Sequence, residues 1–242
     1  MTKETNTKRL LFTTGGKGGV GKTTISTAIV DYLLSQEIPV KIFDFDGGNR
    51  NVGSLHHYYP NQCEKLNLDS AGLDRMAEAV LENRLCLADM PAGAENAFSR
   101  WFQEMGDELK ASGVAFTAVS SITPMRASIA TVYDWSNVLK GAVDYLILKN
   151  HGFGSDFGLF DDTEQGQQFR KAAKPTVIDF EARYSLIQAE LEDRGLTPYT
   201  AQSADAEKLG DYLSGQVAGM RLRGILNRSN ETFDIAKEAL LP

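Results

Sequence analysis

The sequence predicts a doubly wound α/β fold, a mainly parallel sheet with helices on both faces, and three observations carry that reading. Short apolar runs alternate with longer amphipathic ones, the pattern of repeated β-α units. A glycine-rich loop joins the first apolar run to the first amphipathic one. Two later apolar runs end in aspartates, where open parallel sheets present their ligand-facing loops.

Residues 9–14 form the first expected strand. Residues 22–36 follow as a helix, because Ile25, Ala28, Ile29, Tyr32 and Leu33 recur at helical spacing. Pro39 opens the next strand, at 40–45. Further strands are expected at 85–88, 114–119, 145–148 and 176–180. Helices are expected at 71–83, 95–111, 124–140, 164–172 and 184–194, and a last one near 204–216 precedes a tail. Pro124 suits the first turn of its helix, where a missing N–H costs nothing. The glycine-rich stretch 151–158 reads as a loop inside the domain. With no internal repeat and no linker, residues 1–242 read as one domain.

Composition narrows the class. Hydrophobic content of 42% and charged content of 24% are ordinary for a globular protein. A net charge of -7 and a pI near 5.1 disfavour a surface that is basic overall, so a hold on DNA or anionic lipid needs a local cluster. Cys63 and Cys86 cannot build a disulfide framework, and neither belongs to a Cys-x-x-Cys pair; Cys86 reads as a buried strand residue. Residues 1–9 are polar, and no apolar run approaches the length of a membrane span, so the cytoplasm is the expected compartment.

The loop Gly16-Lys17-Gly18-Gly19-Val20-Gly21-Lys22-Thr23 fits Gly-x-x-x-x-Gly-Lys-Ser/Thr, the phosphate-binding loop of P-loop NTPases. Glycines let backbone N–H groups converge on phosphate oxygens, and the helix start adds the positive end of its dipole. Gly16, Gly18, Gly19, Val20, Gly21, Lys22, Thr23 and Thr24 are therefore the expected nucleotide contacts. Lys22 should reach the β- and γ-phosphates, and the Thr23 hydroxyl should ligate Mg²⁺. A merely flexible glycine turn is the alternative; the strand before the loop and the helix after it weigh against that.

With Lys17 inside it, the run Lys-Gly-Gly-Val-Gly-Lys-Thr-Thr resembles the deviant Walker A loop of the ParA/MinD superfamily. The resemblance implies ATP and Mg²⁺ as cofactors and an ATP-dependent homodimer in which Lys17 reaches the phosphates of the partner's nucleotide. Asp44-Phe45-Asp46, followed by Asn49 and Asn51, is similar to the family's switch I, closer to the MinD form. It implies that Asp46 orients the attacking water and that Asp44 organises the loop around Mg²⁺. Asp89-Met90-Pro91-Ala92-Gly93 resembles switch II, with Asp89 holding Mg²⁺ through a water and the Gly93 amide sensing the γ-phosphate. Lys17, Lys22 and Asp46 are thus the implied catalytic residues, and Thr23, Asp46 and Asp89 the metal-side ones. Asn150, ending the strand at 145–148, matches an asparagine that meets adenine, although a turn-forming role is as natural.

The resemblance covers about residues 9–150, the nucleotide core, and weakens over 151–242. It implies a slow, partner-stimulated ATPase working as a switch in positioning, partition or transfer of DNA or another cargo, with a protein activator or cargo adaptor as partner. Small plasmid-borne relatives linked to stability or conjugal transfer have comparable size. A small-molecule ligase or kinase of the same fold is one alternative, and a nucleotide-binding module without hydrolysis is another. The segment 231–242 carries three acids and one lysine, which argues against a membrane partner. Nonspecific DNA stays open through Arg221, Arg223 and Arg228, or through Arg170, Lys171 and Lys174, although either group could be a solvated face. His56 and His57 lack the spaced partners of a metal site and suit a polar loop or partner surface. Trp101 and Phe102 are expected as core anchors.

Overall fold

Continuous apolar runs become central strands where helices cover both faces of a parallel sheet. β4 (Leu85–Asp89) and β5 (Val114–Ile122) are buried at every residue. In the computed structural model, which describes residues 8–15, 18–46, 54–181 and 185–242, they join five further strands. These are β1 (Lys8–Thr14), β2 (Lys41–Asp44), β3 (Cys63–Lys65), β6 (Asp144–Asn150) and β7 (Thr176–Phe180). The seven-stranded sheet has the order β3-β2-β4-β1-β5-β6-β7 and is parallel at every pairing. Its register aligns Leu10 of β1 with Cys86 on one side and Phe116 on the other.

Alternation along the strands sends successive side chains to opposite faces. Leu10 and Phe12 join a core with α3 (Ser70–Glu82), α4 (Glu95–Ala111), α5 (Arg126–Leu139), α6 (Gly158–Asp161) and α7 (Glu164–Ala173). Trp101 and Phe102 belong to it, as expected, and Phe98 stacks on Phe12 at 4.4 Å between ring centres. Leu11 faces the other core, with α1 (Lys22–Ser35), α2 (Leu55–Tyr58), α10 (Gln216–Ile235) and α11 (Lys237–Leu240). The five apolar residues that marked the first helix are all buried there.

A smaller apolar cluster joins α8 (Ser185–Asp193) and α9 (Ala206–Leu213) to α10 through Ile187, Leu191, Leu213 and Leu222. Asp31 ties this part to α1. Its buried carboxylate accepts from the Tyr59 hydroxyl (2.7 Å), the Thr197 hydroxyl (2.6 Å) and the Tyr199 amide (3.1 Å). Donors from both sides offset the cost of burying that charge.

Among the described residues, β3, α10 and the four-residue helices α2, α6 and α11 have no counterpart in the sequence reading. β3 is an edge strand of three largely polar residues, formed because β2 offers its open edge, and nothing in its composition marks it. The expected tail contains the 20-residue α10. Gly219, Gly224, Asn227 and Asn230 dilute its apolar signal, although Leu222, Ile225, Leu226 and Phe233 keep helical spacing.

Candidate nucleotide site

The connection after β1 runs to β2 on one side of the sheet, and the connection after β5 runs to β6 on the other. The carboxyl ends of β1 and β5 therefore flank a topological switch point, where open α/β sheets leave a crevice for ligands. The glycine-rich loop lies at that point. Of the expected contacts, Gly16 and Lys17 fall outside the described residues, as do Asn49 and Asn51 of the second loop.

Gly19 and Gly21 take φ of 78° and 90°, a region that L side chains rarely adopt. Among the described residues, a Cβ built on Gly18 or Gly19 would meet nothing within 4 Å. The loop is braced from beneath. Val20 carbonyl accepts from the Ser121 hydroxyl (2.7 Å) and the Asn150 amide (3.1 Å). α1 then starts with no side-chain cap and no acidic residue in its first turn, whereas Asp69, Thr163 and Asp205 cap α3, α7 and α9. A helix start of this kind presents its amides and the positive end of its dipole to an anion. Lys22 lies back across the loop: a Cβ on Gly15 would sit 3.1 Å from its Cδ and 3.8 Å from its Nζ.

Asp89, at the end of β4, is buried beneath this loop. Its carboxylate accepts from the hydroxyls of Thr23, Thr13 and Ser26, each at 2.9 Å. Burial pushes its pKa up to about 6, opposed by those three hydrogen bonds and reinforced by Asp44. Thr23 and Asp89, expected to share a cation, are thus in direct contact. Thr13 and Ser26 complete the cluster and escaped the sequence reading. Ser26 does carry a signal, since it lies three residues after Thr23 on the same helix face.

Asp44 is buried at the end of β2 and accepts from the amides of Asp46 (2.9 Å) and His56 (3.0 Å). It thereby clamps both ends of the loop that carries Asp46. His56 and His57 lie on α2 rather than on a polar loop, and the His57 ring contacts the Glu192 carbonyl of α8 at 2.8 Å.

The donor set suits magnesium. Hydroxyl and carboxylate oxygens are the hard ligands it prefers, and it keeps several waters and phosphate oxygens rather than a protein cage. No group of three or more His, Cys, Asp or Glu among the described residues could hold a metal ion. A cleft of about 480 Å³ continues from the loop, lined by Gly19, Gly21, Thr24 and Asn150 and also by Phe153, Phe180, Gln188 and Glu192. Asn150 takes part both in the cleft and in the brace. Its amide donates to Val20 and its carbonyl accepts from the Gly152 N–H (3.1 Å), which leaves one N–H and one lone pair.

No described helix is long and apolar enough to cross a membrane. No individual curated protein matches the chain significantly. Among solved structures, it is similar to the MinD cell division protein of Aquifex aeolicus, with 16% identity, 91% of this chain and 96% of that one covered, and a TM-score of 0.49. It is also similar to a nucleotide-binding protein from Archaeoglobus fulgidus in complex with ADP, with 17% identity, 78% and 86% coverage, and a TM-score of 0.47. The family model of the CobQ/CobB/MinD/ParA nucleotide binding domain matches residues 11–238, and the chain belongs to that family.

Proposed function

We propose that the chain is an Mg²⁺-dependent ATPase that dimerises on ATP and works as a conformational switch. The observation that carries this reading is the convergence of an uncapped helix start, Lys22 and the Thr23–Asp89 pair on the open crevice. The first-turn amides and Lys22 would hold the phosphates and Thr23 and Asp89 would hold the cation, and Mg²⁺ held there would neutralise phosphate charge. Asp46, next to the Asp44 clamp, orients the attacking water, since a loose phosphoryl transition state needs a placed nucleophile more than a strong base. The free N–H and lone pair of Asn150 read the adenine edge.

Lys17 has its role across the interface, as a cation on the charge that develops in the partner's site. The output is a change of shape, because the γ-phosphate holds both carboxylate loops and its loss releases them. Positioning, partition or transfer of a cargo fits such an output, with a protein activator or adaptor as the partner. Sedimentation of the Asp46→Ala protein with ATP tests the reading. A dimer is expected that disappears in the Lys17→Ala, Asp46→Ala double variant. Monomers in every nucleotide state, with turnover only when a small acceptor is added, would favour a ligase or kinase instead.

The brace gives a further test. Alanine at Gly21 keeps φ near 90° at a cost of about 1–2 kcal/mol. Its Cβ would also stand 2.5 Å from the Asn150 amide nitrogen, which cannot retreat without losing Val20. Gly21→Ala is expected to melt earlier and to bind ATP at least about tenfold more weakly, a loss of about 1.4 kcal/mol. Wild-type affinity by calorimetric titration would show that the loop tolerates the side chain.

A further inference from the structure

Strand β1 is apolar through Leu10, Leu11 and Phe12 and then carries two threonines, each only 2% exposed. A hydroxyl buried that deeply is costly unless it is bonded. The two hydroxyls serve opposite neighbours. Thr14 meets the Ser120 hydroxyl of β5 at 2.5 Å, while Thr13 turns to β4, one residue beyond the pairing of Phe12 with Ala88. There its hydroxyl donates to Asp89 Oδ1 at 2.9 Å and accepts from the Met90 N–H at 2.8 Å. One atom thus holds both a carboxylate and the backbone that follows it. For the carboxylate the consequence is directional. Oδ1 accepts from Thr13 and from Ser26 of α1, which keeps Oδ2 toward the Thr23 hydroxyl of the phosphate loop. For the backbone, Met90 opens the connection 90–94 between β4 and α4. Met90 and Ala94 are buried in the core beneath α3 and α4, whereas Ala92 and Gly93 between them are exposed. Thr13 fixes the end of this connection that leaves Asp89.

We propose that Thr13 is a positioning residue that couples cation binding at Asp89 to the placement of residues 90–94. The inference rests on the Mg²⁺-dependent nucleotide binding proposed above. In that scheme Thr13 touches neither phosphate nor cation and acts through the Asp89 carboxylate and the Met90 amide. Valine at this position keeps the branched shape that suits a strand but removes the hydroxyl. The buried Met90 N–H then loses its acceptor, and Oδ1 is left with Ser26 alone. Serine keeps the hydroxyl and loses only a methyl group. A threonine that merely satisfied the Met90 N–H would matter for stability and not for the cation.

The test compares the full chain with its Thr13→Val and Thr13→Ser variants at a temperature below every melting transition. Mg²⁺ titration in the presence of ATP should give an affinity about tenfold lower in Thr13→Val, the scale seen when the partner of a metal-side group is removed, and near wild type in Thr13→Ser. ATP affinity in EDTA should be the same in all three. Amide hydrogen exchange should show Met90 exchanging faster in Thr13→Val, and the slowing of residues 90–94 by Mg²⁺ and ATP, expected in wild type, should be lost there. Wild-type Mg²⁺ affinity in Thr13→Val, or no recovery in Thr13→Ser, overturns the proposal. So does an equal loss of ATP affinity in EDTA, which would mark general damage to the site. A wild-type chain that gains no hold on ATP from Mg²⁺ overturns the reading beneath the proposal, and is told apart because it needs no substitution to appear.

Discussion

Replacing Asp89 with asparagine is expected to stabilise the ligand-free protein near pH 8 while removing its Mg²⁺-dependent grip on nucleotide. The two effects have one cause. Burial raises the Asp89 pKa from 3.8 to about 6, so the fold holds its proton more tightly than the unfolded chain does. The stability associated with that proton is fully present below about pH 4 and is lost as pH rises through about 6. At neutral pH the ionised carboxylate therefore works against the ligand-free fold, by about 2–3 kcal/mol from the size of the shift. Asparagine keeps the shape and can still accept from Thr13 and Ser26, but it carries no charge. Urea unfolding should show Asp89→Asn more stable than wild type near pH 8, with the gap closing toward about pH 4.5. Under the proposed function magnesium reverses the sign, because a cation would take the place of the proton. Mg²⁺ titration in the presence of ATP should give an affinity about 10- to 100-fold lower for Asp89→Asn. Equal stability at both pH values together with unchanged Mg²⁺ affinity would mean that Asp89 is only a structural acceptor.

Much of this site was legible because its parts are local in sequence. A strand, a glycine loop and a helix follow each other without a break, so Gly18 to Thr24 could be placed from the motif alone, and Asp44 and Asp89 lay at the ends of recognisable apolar runs. What escaped depends on distance along the chain. Thr13 meets Asp89 across 76 positions, Ser121 meets Val20 across 101, and Asp31 meets Thr197 across 166. No periodicity connects such pairs, and Thr, Ser and Asp are common enough that none stands out singly. The same holds for the fold. The central strands were evident from their apolar runs, whereas β3 exists because β2 has an unpaired edge. The C-terminal part was the least legible, since its small core draws single residues from α8, α9 and α10.

That C-terminal part has a functional place in the architecture. α8 supplies Gln188 and Glu192 to the cleft, and the Glu192 carbonyl meets His57 of α2, which begins where the loop of Asp46 ends. Asp44 holds the other side of the same short helix through the His56 amide. α2 therefore links Asp44 with α8, and α8 shares an apolar cluster with α10.

Lys22→Ala is expected to lower ATP turnover by about 10²–10³-fold, the scale measured when one preorganised donor to a developing anion is removed. The side chain lies over Gly15, whose added Cβ would stand 3.1 Å from its Cδ and 3.8 Å from its Nζ, and under the proposed function its ammonium meets the phosphates. It is only partly buried and belongs to none of the three apolar clusters, so its removal should change stability by no more than about 0.5 kcal/mol. The comparison with Gly21→Ala is then informative, because that change acts through backbone and brace and should cost stability and affinity together. Arginine at position 22 keeps the charge but replaces a compact ammonium on a flexible stem with a wide planar fork. That shape does not place a compact charge as lysine does, so Lys22→Arg should recover little of the lost rate. Phosphate release assays on Lys22→Ala and Lys22→Arg, beside their melting curves, separate these contributions. Turnover near wild type in Lys22→Ala would remove the lysine from the catalytic set and leave the first-turn amides as the chief hold on the phosphates.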